Sequence, residues 1–150
     1  MTNRRGVITF NYLETRFTFK NREALKTFLK TLFIGEQKPF EYINYIFCTD
    51  DYLYQLNMTH LQHDTLTDII TFQYSAPKTP IESDVYISID RVRENALKFG
   101  TSFYHELLRV IFHGALHLCG YKDKTKKNIE LMRQKENENL QLFFVSRGTV

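Results

Sequence analysis

The stretch FHGALHLCGYKDK, Phe112 to Lys124, decides how this chain reads. His113 and His117 stand four residues apart. At about 100° per residue that spacing puts both imidazoles on one helical face, a turn apart, where a metal ion could sit between them. Gly120 ends the helix in the left-handed conformation that a side chain disfavours, so residues 121 to 123 can fold back beside the histidines, and Asp123 becomes a candidate third ligand. Three protein ligands plus water describe a catalytic zinc site, whereas a structural site closes its shell with four, usually including Cys. Cys119 follows His117 by two residues, about 200° of rotation, and is turned away.

Working outward, Thr101 or Ser102 caps this central helix, whose Phe103, Leu107, Ile111 and Leu118 pack while the histidines face a cleft. Before it, Val85, Ile87 and Ile89 alternate with polar residues as in a half-buried strand, and Asp90 can cap a helix to Phe99 that Gly100 ends. Leu66 to Tyr74 reads as a strand rich in β-branched and aromatic residues, stopped by the prolines of SAPKTP. INYIFCT, 43 to 49, reads as a buried strand, and Asp50 or Asp51 opens a helix to about Met58. Nearer the start, Val7, Thr9 and Tyr12 and then 16 to 20 alternate as a first strand or hairpin, followed by a helix that Asn21 can cap and Gly35 stops. After the site, Thr125 begins a last helix with Ile129 and Met132 on one side and charged residues on the other. Strands and helices intermingled without repeats or linkers predict one α/β or α+β domain spanning 1–150.

At 150 residues the chain fits a single domain, and 43% hydrophobic with 25% charged residues is ordinary for a globular protein. No apolar run approaches the roughly 20 residues of a membrane span, and the start does not read as a secretory signal, so a cytoplasmic location is the expectation. Cys48 and Cys119 are too few for a disulfide framework; two reduced, partly buried thiols are expected. The net charge of +3 steers nucleic acid only weakly, so any attraction must be local.

HGALHLCGY closely resembles the signature of the YbeY family of rRNA maturation endoribonucleases, in which a third histidine follows the second by six positions. That position is Asp123 here. LTDIITF at 66 to 72, SDVYIS at 83 to 88 and QLN at 55 to 57 are similar to other recurrent segments of the family. The resemblance implies a small mixed sheet of about four strands surrounded by helices, and a metal-dependent endoribonuclease acting on single-stranded and ribosomal RNA in small-subunit rRNA 3′ end processing and ribosome quality control. RNA and the ribosome are the implied partners. It implies Zn2+ held by His113, His117 and Asp123, with another divalent ion admissible because carboxylate replaces imidazole. Tyr54 stands where the family usually carries arginine.

The zinc protease pattern needs a Glu after its first histidine, and Gly114 occupies that position. Arg109, a turn before His113, could reach a phosphate oxygen or form a surface ion pair. Lys122, Lys124, Lys126 and Lys127 form a basic rim, and Tyr121 could stack on an unpaired base. Asp68 and Asp84 could orient a ligand or serve as caps and turns. His60, His63 and His105 lack the spacing of the pair and are expected at the surface or in packing. No residue identifies itself as general base. The alternative to the enzyme is a non-catalytic, ribosome- or RNA-associated binding module of the same fold.

Overall fold

Burial at every second position marks the strands of the computed structural model, which describes residues 6–61 and 67–146. Strands β1 (Val7–Tyr12), β2 (Phe40–Cys48), β3 (Ile69–Gln73) and β4 (Ile81–Ser88) form one sheet in the order β1-β2-β4-β3. β1 and β4 both run parallel to β2, and β3 is antiparallel to β4. Parallel neighbours cannot be joined by a tight turn, and α1 (Arg22–Gly35) makes the crossover from β1 to β2. Of the first strand or hairpin expected at the start, the strand is what forms: residues 13–20 carry no second strand. Phe17 and Phe19 pack instead on Phe10 and Phe47.

The register sends Phe10, Ile43, Tyr45, Phe47, Val85, Ile87 and Ile69 to one face of the sheet. On that face lies α4 (Phe103–Leu118), buried nearly all round, with Leu107, Leu108, Ile111, Phe112, Ala115 and Leu116 fully enclosed. Tyr45 donates its hydroxyl to the Ile111 carbonyl at 3.4 Å. A Cβ on Gly114 would lie 2.8 Å from Ile69 Cδ1 and 3.3 Å from Val85 Cγ1, so the helix reaches the sheet this closely because that residue has no side chain. α3 (Ile89–Phe99) and α5 (Lys126–Ser146) flank α4. The other face is partly covered by α2 (Asp50–Leu56) and a π-helical turn, Asn57–Leu61.

Several boundaries move for local reasons. α2 opens at Asp50, as expected, with Thr49 capping it by accepting from Tyr52 N at 3.1 Å. Ser88, not Asp90, caps α3, because β4 runs straight into the helix and Asp90 accepts from Asp50 N instead. Asn21 occupies the N-cap position of α1 in the left-handed region and makes no side-chain capping bond. Ser102 caps α4, as one of the two expected residues, and Gly100 ends α3 with φ 69°. The strand expected from 43 begins at Phe40, and that expected from Leu66 begins at Ile69; Leu66 lies outside the described residues.

Candidate metal centre and its cleft

Where α4 leans past β3, the short edge strand leaves a cleft of about 600 Å³, walled by the approach to β3, α3, α4 and α5. His113 and His117 both line it, with ring planes within 3° of parallel and centroids 6.5 Å apart. Each ring is held by its Nδ1. That of His113 lies 2.7 Å from Glu136 Oε2, and that of His117 lies 3.1 Å from the Tyr121 carbonyl. Neither partner offers a proton when Glu136 is ionised, so both Nδ1 atoms donate and the lone pair of each neutral ring falls on Nε2. Gly120, at φ 107°, makes this possible: its N–H returns to the His117 carbonyl and Tyr121 N to Leu116 O, which swings the Tyr121 carbonyl under His117.

Asp123 arrives on the same turn, with Oδ2 3.2 Å from His113 Nε2. Among the described residues no group of three or more His, Cys, Asp or Glu side chains is converged tightly enough to form a metal cage as it stands. The donor chemistry nevertheless suits a divalent ion: two imidazoles offering Nε2, one of them backed by a carboxylate that fixes its tautomer, with a carboxylate oxygen alongside.

Glu136 is the residue the sequence reading missed. It is 5% exposed, and it joins His113 to Arg109, whose Nη1 lies 3.0 Å from Oε1. Burial alone would raise its pKa, but the hydrogen bonds of His113 and Arg109 and the charges of His113 and Arg133 outweigh that and hold it below the usual carboxylate value. Burial likewise acts to lower His113, and the bond and charge of Glu136, with Asp123 and Asp68, reverse the balance upward. A signal was present in the spacing Met132, Glu136, Leu140, Phe143, the buried stripe of α5, where one position carries a charge.

Arg109 is neither a surface ion pair nor a free phosphate contact. Its guanidinium is mostly buried in the cleft wall, where it donates to Glu136 Oε1 and to Asn137 Oδ1 at 2.9 Å. Asp68 and Glu106 line the cleft, and burial pushes both carboxyls above their ordinary range. Asp84, for which orienting a ligand was one of two readings, sits on the opposite face of the sheet, where it accepts from Asn44 at 3.0 Å and Tyr74 at 2.8 Å. Tyr121 cannot serve as a stacking platform as it stands: its hydroxyl donates to Glu36 at 3.1 and 3.2 Å, and its ring packs against the core. Of the four rim lysines, Lys124 alone is part of the cleft wall.

Tyr54 belongs to α2 and is not part of that wall. Cys48 and Cys119 are buried free thiols, both pushed up to about 12, chiefly by burial, and neither faces the cleft. His60 is exposed near the Phe72 ring and His105 stacks on Phe144, while His63 lies outside the described residues. Among the described residues no helix is long and apolar enough to cross a membrane.

A family model described as Endoribonuclease YbeY matches residues 8–143. Curated proteins named Endoribonuclease YbeY include one from Flavobacterium johnsoniae, 47% identical over 94% of this chain and 100% of its own length. Another, from Bacteroides thetaiotaomicron, is 42% identical over 81% of this chain and 87% of its own. The solution structure of TM1509 from Thermotoga maritima is similar with a TM-score of 0.62 at 25% identity, covering 95% of this chain and 92% of that one. With a match across nearly the whole sheet-and-helix unit, and identities this high over full-length relatives, the chain belongs to the endoribonuclease YbeY family.

Proposed function

We propose that the chain is an endoribonuclease in which His113, His117 and Asp123 hold a divalent ion for cleavage of single-stranded ribosomal RNA, with the ribosome as its partner and the cytoplasm as its place of work. The observation that supports this most directly is the pair of parallel imidazoles, each held by Nδ1 so that Nε2 is the donor left over. A bound ion would supply a water of lowered pKa and offset charge on the phosphate. Two imidazoles and a carboxylate suit zinc, and the carboxylate widens the choice towards harder ions. Glu136 orients His113, the Tyr121 carbonyl orients His117, and Lys124 places a cation at the edge of the cleft. Asp68 and Glu106, carboxyls whose proton affinity burial has raised, are the candidates for accepting or holding a proton.

A second reading is favoured by the contact between His113 Nε2 and Asp123: a binding module in which that pair closes on itself and no ion enters. Metal analysis of untagged protein, paired with cleavage of an unstructured RNA, separates the two. The expected result is a stoichiometric divalent ion in the wild type, lost in His117→Ala together with at least about 100-fold in cleavage, as loss of a ligand costs no less than loss of its supporting partner. A wild type without the ion, or a variant that cuts equally well, overturns the enzyme.

A further inference from the structure

The cleft extends along α4 well beyond the histidines. Away from the histidines it is lined by Glu106 on α4 and by Asn95 and Phe99 on α3, the latter just before the start of α4; Arg133 and Ile129 line it from α5, which runs antiparallel to α4 so that Ile129 lies towards His117. Of the large apolar side chains exposed among the described residues, Phe99 (57%) and Ile129 (50%) are the two that line this cleft. They come from different helices and open on the same space. Exposed apolar surface costs free energy in water, and these two side chains present theirs to a cleft that also holds charged and polar groups.

The surrounding groups are those a nucleotide needs. Asn95 precedes Phe99 by one helical turn, so both project from the same face of α3 into the cleft. Its amide carries donors and an acceptor, the complement of a base edge. Lys98 Nζ lies 5.7 Å from the Phe99 ring centroid, and the half-exposed Arg133 guanidinium stands on the opposite wall, so cations flank the ring where a sugar-phosphate would pass. Glu106 and His113 are seven residues apart on one helix, roughly 10 Å at 1.5 Å per residue. That is about three nucleotides at stacked spacing and fewer in an extended strand. A single strand lying along the cleft could thus meet both ends at once.

We propose that Phe99, with Asn95 beside it, forms a subsite for one unpaired nucleobase of the RNA strand, a few nucleotides from the bond aligned on the histidine pair. The inference rests on the proposed endoribonuclease reading and adds to it where the strand is gripped. Stacking on Phe99 supplies affinity and Asn95 supplies preference among bases; Arg133 supplies charge.

The test is equilibrium binding of short unstructured oligoribonucleotides carrying 2-aminopurine at successive positions to the full chain, over a range of salt. With wild type, fluorescence is expected to be quenched at one position, the base on Phe99. Phe99→Ala is expected to abolish that quench and weaken binding roughly tenfold, the contribution of one stacked base, with the salt slope unchanged. Phe99→Trp is expected to keep both. Arg133→Gln is expected to keep the quench and reduce the salt slope by about one. Wild-type binding that Phe99→Ala leaves intact in affinity and quench overturns the subsite while leaving the nuclease reading standing. Failure of wild type to bind RNA at all, at low salt, removes both.

Discussion

The two faces of the sheet carry comparable polar side chains and treat them differently. On the face under α4, water is excluded up to the edge of β3, and the groups stranded there are tied into one network: Arg109, Glu136, His113 and Asp123 in sequence. On the other face a row of the same kind crosses three strands. Thr9 donates to Asn44 at 2.6 Å, Asn44 to Asp84, and Tyr74 to the second Asp84 oxygen. That row lies partly open to solvent, where a broken bond is replaced by water. Glu136, buried at the centre of the network, has no such substitute, so Arg109 and His113 both depend on it.

The largest expected effect follows from removing the hub. Glu136→Ala leaves the mostly buried Arg109 and His113 without their carboxylate, and should cost about 3–5 kcal/mol of unfolding free energy in urea titration of metal-free protein. The pH profile should change as well. Glu136 is lowered on folding and contributes fully above its ordinary 4.5, the contribution fading as pH falls through the folded value. His113 is raised and contributes fully below its ordinary 6.5, fading as pH rises through its folded value. The wild type should therefore draw most from the pair between these two values, and the variant should show a flatter profile there. An unchanged profile would mean that the face under α4 is as forgiving as the open one.

A smaller effect is expected where α4 touches the sheet. Gly114→Ala gains about 1 kcal/mol in helix propensity but places a methyl against Ile69 and Val85, an overpacking of about 1–3 kcal/mol, for a net loss near 1. The nearest obstacle is Ile69 Cδ1, the atom that valine lacks. The double variant with Ile69→Val should accordingly be more stable than the sum of the two single changes, and simple additivity would show that the close approach is not what excludes a side chain.

The smallest effect belongs to the open face. Asp84→Asn retains an oxygen for Asn44 or Tyr74 and forfeits only the charge, so a loss of less than about 1 kcal/mol is expected in the same titration. A loss as large as that of Glu136→Ala would erase the distinction between the faces.

What was legible in the sequence was local. Helical spacing disclosed the histidine pair, and Gly100 and Gly120 disclosed where α3 and α4 end, because each of these depends on residues within a turn of one another. β1 reads as a strand or as half of a hairpin because its partner, β2, is more than thirty positions away, and parallel pairing leaves no mark on either segment. Asp84 was left between a ligand-orienting role and a cap or turn, since period-2 alternation says that faces differ without saying which one α4 covers. Glu136 was hidden for a related reason: on a helix rich in charge one carboxylate looks like its neighbours until the buried stripe is followed through it. Phe99 was legible as the end of a helix, but its position across from α5 is a matter of tertiary packing.

Tyr121 fastens two things at once, His117 through its carbonyl and Glu36, just beyond α1, through its hydroxyl. The bearing of the His117 ring at the cleft is thereby inherited in part from a side chain near the first helix that does not line the cleft. Variation at position 36 can retune the centre without altering a single residue that faces it.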